Sequence, residues 1–367
     1  MMKVCLLSSV HQPFDVRIFH KEAKSLAKVG YGVILIAQSD REETVDGIKI
    51  IPLPKPKNRL ERMGLLTFRC LIKALKQKAN VYHFHDPELL FVGLLLKLMT
   101  KAKIIYDVHE DYAKQILSKP YLPEWTRYSI AWLVNKVEKV ISRTFDAIVT
   151  ATDDISNNFS YHKRIVAVRN FPVLSNFSLL NKTDNSTIFN LIYVGGLVEI
   201  RGISQVIQSL EYIQKEVKLI LCGKFYPANY EEQVRSLKGF EKVEYQGWVR
   251  PQDIPAKMAQ AEVGIVCFLP EPNHINALPN KLFEYLSCGL PVIASDFPLW
   301  KEIIEGNHCG ICVNPLNPRE IAQAIEYLME HPDEAKQMGK SGRKAVEERY
   351  NWELEKERLI GLYKKLW

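Results

Sequence analysis

One short segment in the second half of the chain carries the residues with the clearest chemical potential. Pro279-Asn280-Lys281 precedes Glu284 by three residues, and proline suits the first turn of a helix. A helix N-terminus attracts a phosphate group, and Lys281 adds a point charge beside it. Glu284 shares that helix face, and its carboxylate can accept hydrogen bonds from two sugar hydroxyls. The segment predicts a phosphate and sugar site, although a Lys/Glu pair on a solvated helix has the same spacing.

A glycine-rich turn offers a second set of groups that suit an anion. Gly195-Gly196 follows a predicted strand and precedes Arg201-Gly202, after which a helix is predicted over 203–212. Glycines let backbone N–H groups approach an anion closely, and Arg201 supplies a fixed positive charge. The turn therefore predicts another part of a phosphate site.

Several other kinds of site are disfavoured. The first predicted strand runs into Ser8-Ser9-Val10-His11-Gln12-Pro13, which lacks the G-x-G-x-x-G of dinucleotide-binding folds, and no P-loop sequence occurs. Cys309 and Cys312 form a CxxC pair without the second pair that a zinc site needs. The chain also has no Asp-x-Asp sequence to hold Mg²⁺ or Mn²⁺. We therefore expect no bound cofactor and no metal.

Three histidines near predicted strand ends in the first half are further candidates. His83 and His85 alternate along a strand, and Asp86-Pro87-Glu88 follows with the composition of a helix start in which Asp86 is the N-cap. This spacing could bind a metal, but no further ligand is evident, and we favour an interpretation without metal. His109 follows the next predicted strand, and Glu110-Asp111 beside it can cap the following helix.

Short β-branched runs alternate with amphipathic stretches, which is typical of parallel sheets with crossover helices. A polar segment over 175–187 separates two such series and is predicted to be a linker. After Pro318 the chain is predicted to be almost continuous helix, with breaks at His331-Pro332 and near Gly339 to Gly342. Strands are predicted over 3–7, 32–36, 48–52, 81–85, 103–108 and 146–151, and then over 190–194, 218–222, 242–245, 263–268, 291–294 and 310–313.

The net charge of +7 is concentrated in the first half of the chain, most densely over 55–78. Apolar residues recur there at helical spacing, so a basic amphipathic helix is predicted from Leu60 to Lys78. A solvated helix face is the plain interpretation, and attraction to an anionic membrane or ligand is the sharper one. Few aromatic residues lie between the charges, so nucleic acid is disfavoured. The apolar positions are Leu60, Met63, Leu66, Leu71, Ile72 and Leu75, and the basic ones are Lys55, Lys57, Arg59, Arg62, Arg69, Lys73, Lys76 and Lys78.

Composition bounds the class of protein. The chain has 367 residues, of which 47% are hydrophobic and 25% are charged, as in ordinary globular proteins. The longest apolar run, Leu89 to Leu96, is too short to span a bilayer, and Met1 to Val10 lacks the apolar core of a signal peptide. The scattered cysteines are typical of buried thiols in a reducing compartment. We expect a cytoplasmic protein, with peripheral contact at the inner face of the cell membrane through residues 55–78.

The motifs together resemble the retaining family 4 glycosyltransferases of the GT-B fold. The specific part is Pro279 to Asp296, P-N-K-L-F-E-Y-L-x-x-G-x-P-V-I-A-S-D, in combination with Gly195-Gly196 and Arg201-Gly202. The resemblance covers essentially the whole chain, including His85-Asp86-Pro87 and the loop from Asp107 to Asp111.

This resemblance implies an α/β fold of two Rossmann-like, doubly wound domains with a cleft between them. Residues 1–180 would form the acceptor-binding domain, residues 181–350 would bind the nucleotide-sugar donor, and a terminal helix over 351–367 would cross back onto the first domain. The implied reaction moves a hexose or N-acetylhexosamine from a nucleotide diphosphate sugar, with a UDP-sugar favoured over a GDP-sugar, to a glycan or polyprenyl-diphosphate-linked acceptor in cell-surface polysaccharide assembly.

The resemblance also implies roles for individual residues. Glu284 matches the second glutamate of the E-x7-E motif, which binds the nucleotide ribose, and Arg201 matches a diphosphate-binding lysine. Asn276 stands where the first glutamate would be, and Gly196 stands where an arginine is common. His109 matches a histidine near the reacting sugar. The catalytic set is therefore His109, Arg201 and Lys281, and the donor-binding set is Gly195, Gly196, Asn276, Pro279, Asn280 and Glu284.

Two other functions stay open at this point. A nucleotide-sugar 2-epimerase shares the fold and would turn over its donor without any acceptor. The departures at Asn276 and Gly196 also fit a catalytically silent partner in a glycan-assembly complex.

Overall fold

The computed structural model describes residues 1–117, 122–177 and 188–367. It divides into two compact units, the first comprising Met1–Asn170 with Trp352–Trp367 and the second Phe171–Asn351. The boundary predicted at 180/181 lies outside the described residues, as does most of the predicted linker over 175–187. The first unit ends earlier than the predicted residue 180 because Phe171 and Phe177 are buried in the core of the second unit.

The first unit is built on an eight-stranded sheet in the order β3-β4-β2-β1-β5-β6-β7-β8. The described strands are parallel except for β3, which pairs antiparallel with β4. The strand order changes direction between β1 and β5, and such a switch point leaves a crevice at the carboxyl ends of the strands. The strands are β1 (Lys3–Leu7), β2 (Gly32–Gln38), β3 (Glu43–Val45), β4 (Ile48–Leu53), β5 (Val81–Phe84), β6 (Lys103–Val108), β7 (Ala147–Thr150) and β8 (Ile165–Ala167).

Helices on this sheet begin with a π-helical segment, Val16–Ala23, that leads into α1 (Lys24–Lys28). A second π-helical segment, Arg62–Leu66, joins α2 to α3, and a 3₁₀ turn, Pro87–Leu89, precedes α4. The remaining helices are α2 (Arg59–Glu61), α3 (Thr67–Gln77), α4 (Leu90–Met99), α5 (Tyr112–Leu117), α6 (Glu124–Ser142) and α7 (Asp153–Asn158).

The predicted helix over 60–78 is wrong in its continuity, because the π-helical segment interrupts it. The Thr67 hydroxyl donates to the carbonyls of Met63 and Gly64, both at 2.8 Å, and a π turn shifts the helix face that follows it. Leu66 and Leu71 are buried as predicted, whereas Leu60, Met63 and Ile72 are exposed.

The second unit contains a six-stranded sheet in the order β11-β10-β9-β12-β13-β14. Its described strand pairs are parallel. The switch point lies between β9 and β12, next to Gly195. The strands are β9 (Phe189–Val194), β10 (Val217–Cys222), β11 (Val243–Gly247), β12 (Val263–Val266), β13 (Val292–Ser295) and β14 (Gly310–Val313).

The helices of the second unit follow their strands as the alternating pattern predicted. Short 3₁₀ turns occur at Leu174–Asn176, Glu199–Arg201, Lys238–Lys242 and Pro251–Asp253. The helices are α8 (Ile203–Ser209), α9 (Ala228–Arg235), α10 (Ile254–Met258), α11 (Asn280–Ser287), α12 (Pro298–Ile304), α13 (Pro318–Glu330) and α14 (Pro332–Glu348).

Two glycines in α14 overturn the predicted break near Gly339 to Gly342, because the helix runs through both. A Cβ at Gly339 would lie 2.0 Å from the Gly289 carbonyl oxygen, and one at Gly342 would lie 2.6 Å from Leu286. These glycines allow close packing and do not end the helix.

The terminal helix, α15 (Trp352–Lys364), belongs to the first unit. The Trp352 indole N–H donates to Ser25 Oγ at 3.0 Å, and the Tyr363 hydroxyl lies 2.8 Å from His83 Nδ1. The chain therefore returns to the first unit, as the resemblance implied. Among the described helices, none is both long and apolar enough to cross a bilayer.

Candidate functional site

The glycine turn after β9 lies at the switch point of the second sheet. Gly195 has a φ of +131°, which favours glycine, and a Cβ there would lie 2.8 Å from Lys281 Nζ and 3.5 Å from Arg201 Nη1. A Cβ at Gly196 would lie 3.0 Å from Arg201 Nη1. The fold thus brings the two predicted phosphate-binding segments, which are far apart in sequence, to one place.

Lys281 is the most unusual group in this place. It lies on α11, is buried, and its Nζ has no hydrogen-bond partner among the described residues. The ammonium lies 3.7 Å from the centroid of the Tyr193 ring and 5.2 Å from that of Phe268. Burial, together with the nearby charge of Arg201, lowers the pKa of Lys281 well below its ordinary value, and Glu284 opposes that shift.

Arg201 is half-buried beside the same turn. Its Nη1 donates to the Gly196 carbonyl at 3.2 Å, and its guanidinium lies 5.7 Å from the Phe268 ring centroid. The guanidinium thus occupies the space next to Gly196 where a longer side chain would begin. Within the part of the chain that the structure describes, neither Arg201 nor Lys281 forms an ion pair with a carboxylate.

The other predicted donor-binding residues lie on α11 or just before it. Pro279 is the N-cap of the helix instead of a first-turn residue, and its carbonyl accepts from the Leu282 N–H at 3.0 Å. Asn280 begins the helix, and Glu284 lies one turn further along it, partly exposed. Asn276 is exposed in the turn before the helix. The loop is anchored by Trp300, whose indole donates to the Ala277 carbonyl at 2.7 Å.

Sequence reasoning missed three side chains around this place: Tyr193, Phe268 and His274. The Tyr193 hydroxyl donates to the Gly196 carbonyl at 3.2 Å, and His274 Nδ1 lies 3.1 Å from the Leu269 carbonyl oxygen. Burial lowers the pKa of His274, which favours its neutral form at neutral pH. An aromatic residue at the end of β9, just before the double glycine, was the signal available for Tyr193.

His109 belongs to the first unit, where it joins a buried cluster at the carboxyl ends of β5 and β6. Its Nε2 lies 3.2 Å from His85 Nδ1 and 3.6 Å from Asp107 Oδ1. His85 Nδ1 is also 3.4 Å from Asp107 Oδ2, and the rings of His83 and His85 stack. Burial lowers the pKa of His85 to about 3, so the imidazole is neutral.

Arg17 supplies the positive charge of this cluster, and sequence reasoning missed it. Its Nη2 donates to both Asp107 carboxylate oxygens at 3.0 Å, its Nε lies 2.9 Å from Glu22 Oε1, and its Nη1 donates to the Val168 carbonyl at 2.7 Å. The Arg17 guanidinium holds the pKa of Asp107 well below its ordinary value, while burial and the neighbouring Asp107 raise the pKa of Glu22.

Four side chains of the cluster have the types and spacing of metal ligands. One ligand atom each from Glu22, His83, His85 and Asp107 lies within 4.8 Å of the others. Arg17 already binds both carboxylates, however, and its positive charge opposes a divalent cation at the same point. The cluster fits a guanidinium better than a metal ion.

Asp86 occupies the N-cap position before Pro87, as predicted, but its side chain makes no capping hydrogen bond. Its Oδ2 instead accepts from the N–H of Ser9 at 2.6 Å, the N–H of Val10 at 3.2 Å and the Ser8 hydroxyl at 2.9 Å. The carboxylate therefore holds the loop after β1, across the switch point. Asp111 does cap its helix, since it accepts from the Lys114 N–H at 3.0 Å.

Comparison with known proteins follows the same division into two units. Residues 16–171 match the family model described as Glycosyltransferase Family 4, and residues 188–331 match the one described as Glycosyl transferases group 1. An uncharacterised glycosyltransferase of Methanocaldococcus jannaschii is 23% identical over 310 residues, which are 78% of this chain and 75% of the relative.

Two solved structures show the same fold over the whole chain. Sucrose-phosphate synthase from Thermosynechococcus elongatus aligns with a TM-score of 0.81 and 18% identity, covering 100% of this chain and 99% of the other. Anabaena HepE in complex with UDP-glucose aligns with a TM-score of 0.74 and 14% identity, covering 100% of both chains.

Proposed function

Since this chain is a family 4 type glycosyltransferase with the GT-B fold, we propose that it moves a hexose or N-acetylhexosamine from a nucleotide diphosphate sugar to a glycan or lipid-linked glycan acceptor. The HepE complex contains UDP-glucose, which favours a UDP-sugar over a GDP-sugar here. We place the reaction in cell-surface polysaccharide assembly.

One observation carries the proposal: Arg201 and Lys281 lie next to each other in the second unit, and among the described residues neither forms an ion pair with a carboxylate. A buried lysine without a counter-charge costs free energy unless a ligand supplies an anion. Gly195 and Gly196 leave room beside Arg201 and Lys281. Lys281 lies in the first turn of α11, and the N-terminal N–H groups of a helix favour an anion. A diphosphate satisfies all of these groups together.

The same charges explain how the reaction would be accelerated. Negative charge builds on the β-phosphate as the bond to the sugar breaks, and Arg201 and Lys281 bind that charge more strongly in the transition state than in the ground state. With retention, the acceptor hydroxyl attacks from the leaving-group face, and a phosphate oxygen takes its proton. For His109, the resemblance implies a role near the reacting sugar; within the first unit its Nε2 lies next to His85 and Asp107.

Fixed protein charge takes the place of a metal in this proposal. Enzymes that bind diphosphates through Mg²⁺ hold the ion with carboxylates. The side chains proposed to bind the diphosphate here, Arg201 and Lys281, are cationic instead. We therefore propose metal-independent turnover, and we expect EDTA to leave the rate unchanged.

Glu284 is proposed to accept hydrogen bonds from the donor ribose, and Asn276 to lie near the donor sugar. Glu284 is partly exposed one turn beyond Lys281 on α11. Gly196 stands where related enzymes commonly have an arginine. Arg201 can supply the missing positive charge, because its guanidinium lies beside that glycine. An active transferase is thus favoured over a silent partner.

Contact with an anionic membrane is proposed for the surface formed by residues 55–78. Leu60 is 84% exposed, Met63 59% and Phe68 60%, so apolar side chains stand among the basic ones. Arg62 pairs with Glu88 at 2.6 Å, and Lys73 donates to the Pro52 carbonyl at 2.7 Å. The basic residues proposed to meet lipid are the exposed Lys55, Lys57, Arg69, Lys76 and Lys78. Vesicle sedimentation should fall with rising salt and for Phe68→Ser.

Donor turnover is the experiment that tests the function. The full chain is incubated with a panel of UDP- and GDP-sugars, with and without EDTA, and both nucleoside diphosphate release and the sugar products are measured. Release of UDP that an acceptor increases supports the proposal. Formation of a C2-epimeric sugar nucleotide without an acceptor identifies an epimerase instead, and binding without turnover identifies a silent partner.

Glu284→Gln tests the ribose contact. We expect weaker binding of the nucleotide by about 1.5–3 kcal/mol, the cost of losing a hydrogen bond to a charged group, measured by calorimetry with an unchanged fold by circular dichroism. Glu302→Gln, on the exposed face of α12, is the matched control. Wild-type affinity in Glu284→Gln would show that the ribose lies elsewhere.

A further inference from the structure

A cavity of about 350 Å³ lies in the first unit, between α5, α6 and α7. Its wall includes Glu110 and Asp111, which directly follow His109 in the sequence. Its volume lies in the range of small-molecule sites, ~300–1,000 Å³. None of the groups placed in the donor site belongs to it.

One wall is a single stripe of α6. The side chains that line the cavity recur at helical spacing, so they share one face of the helix. Ala131, the smallest of them, is flanked by two large aromatic rings and leaves the depression between them. The stripe consists of Tyr128, Ala131, Trp132, Asn135, Glu138 and Lys139.

The opposite wall combines apolar side chains, such as Leu117, Ile155 and Phe159, with polar groups that hydrogen bonds hold in place. Asp111 caps α5 and accepts from Asn158 Nδ2 at 2.9 Å, and Lys114 pairs with Asp154 at 3.0 Å. On the α6 side, Glu138 Oε1 accepts from the Tyr106 hydroxyl at 2.7 Å. These contacts fix a set of carboxylate and amide oxygens that still have lone pairs for a ligand.

Other polar groups in the cavity are unused. Among the described residues, nothing hydrogen-bonds to the Asn135 amide or to the Trp132 indole N–H. The Trp132 ring is steadied by Lys136, whose Nζ lies 4.3 Å from the ring centroid. The cavity therefore combines the aromatic ring of Trp132 with hydrogen-bonding groups, the Asn135 amide and the Trp132 indole N–H, that a ligand can use.

This combination selects one chemical class of ligand. A purely apolar chain would offer no partner to the polar side chains of the lining. An anion would meet three acidic side chains, Glu110, Asp111 and Glu138, against two lysines, of which Lys114 already pairs with Asp154. A sugar ring has an apolar C–H face for Trp132 and Tyr128 and hydroxyls for the amides and carboxylates. We propose that this cavity binds a pyranose ring of the acceptor glycan.

The assignment of that pyranose to the acceptor rests on the proposed function, but the binding of a sugar does not. Ligand-detected saturation-transfer NMR with the full chain tests binding directly, using methyl glycosides of glucose, galactose, mannose and N-acetylglucosamine. We expect at least one glycoside to receive saturation from the wild type. Trp132→Ala and Asn135→Leu should each reduce that signal at least fivefold.

Trp125→Ala is the matched control, because Trp125 is an exposed tryptophan on the same helix that does not line the cavity. We expect it to keep the wild-type signal. All three variants should keep wild-type UDP affinity by calorimetry, since they lie outside the donor site. Asn135→Leu keeps the test decisive should Trp132→Ala fail to fold.

Two results would overturn the inference. One is the absence of saturation transfer to every glycoside, or a signal that Trp132→Ala and Asn135→Leu leave intact. The other is binding of octyl glucoside but not of methyl glucoside, which would show that the cavity takes an alkyl tail. Absence of donor turnover with glycoside binding intact would refute the proposed function alone.

Discussion

The two units each bury a cluster of charges near the switch point of their sheets, and the clusters differ in how the charge is balanced. In the first unit, Arg17 binds Asp107 and Glu22 directly, at 3.0 and 2.9 Å. In the second unit, the side chains of Lys281 and Arg201 both lie beside the Gly195-Gly196 turn, and no described acid forms an ion pair with either. A balanced cluster stabilises the fold and orients a neighbour, whereas an unbalanced one holds free energy that an anionic ligand can release.

The largest expected effect comes from breaking the balance in the first unit. Arg17→Met leaves two buried carboxylates without a counter-charge, and we expect it to lower the free energy of unfolding by about 3–5 kcal/mol, measured by urea denaturation. Arg201→Met is the matched change in the second unit and should shift stability by no more than about 0.5 kcal/mol. Equal losses in the two variants would contradict the comparison.

Removing a cation from the unbalanced cluster should affect the reaction and not the fold. We expect Arg201→Ala to lower turnover by about 10²–10³-fold, or ~2.7–4 kcal/mol in the barrier, the scale for one preorganised electrostatic contact. Donor turnover under saturating donor measures it. Arg319→Ala is the control, because Arg319 also lies over an aromatic ring, that of Tyr212 at 5.1 Å. A turnover loss shared by the control would refute the assigned role.

Acidification should weaken the first cluster before the second. The pKa of His85 is about 3 in the fold against an ordinary 6.5, so between those values the unfolded chain binds a proton that the folded chain does not. Stability contributed by neutral His85 is thus present above pH 6.5 and lost as the pH falls, by about 3 kcal/mol at pH 4.5.

Hydrogen exchange followed by mass spectrometry measures this pH effect by region. Protection in β5 and β6 should fall from pH 6.5 to 4.5 more than protection in β12 and β13. The variant His85→Phe should show a flatter dependence in β5 and β6. A uniform loss of protection across both units would show that His85 does not govern the acid response.

The smallest expected effect is a gain in stability. No described carboxylate pairs directly with the buried ammonium of Lys281, and its lowered pKa means that the fold disfavours the charged form. Lys281→Met should therefore raise the free energy of unfolding by about 1 kcal/mol in the absence of nucleotide, while removing the stabilisation that UDP gives the wild type. Thermal unfolding with and without UDP measures both, and Lys301→Met, which changes an exposed lysine on α12, is the control. A destabilised Lys281→Met would show that the lysine serves the fold.

Much of the fold could be predicted from the sequence because buried parallel strands need contiguous apolar runs. The strands β1, β6 and β14 have the predicted bounds, whereas β3 and β8 were missed because each has three residues. The glycines of α14 misled the prediction, since their role is contact with Gly289 and Leu286. Local patterns therefore predicted the positions of most strands and helices. They failed where contact with a part of the chain distant in sequence requires a particular residue type.

The sequence by itself determined the family, the alternation of strands and helices, and the short motifs that hold Gly195, Arg201, Lys281 and Glu284, because these depend on residues close together in the chain. The tertiary structure alone decided that Tyr193 covers Lys281, that Arg17 pairs with Asp107, and that the α6 stripe faces α5 and α7. Those contacts join residues far apart in sequence, and burial gives them their strength. No local spacing encodes which distant side chain completes a charge or closes a cavity.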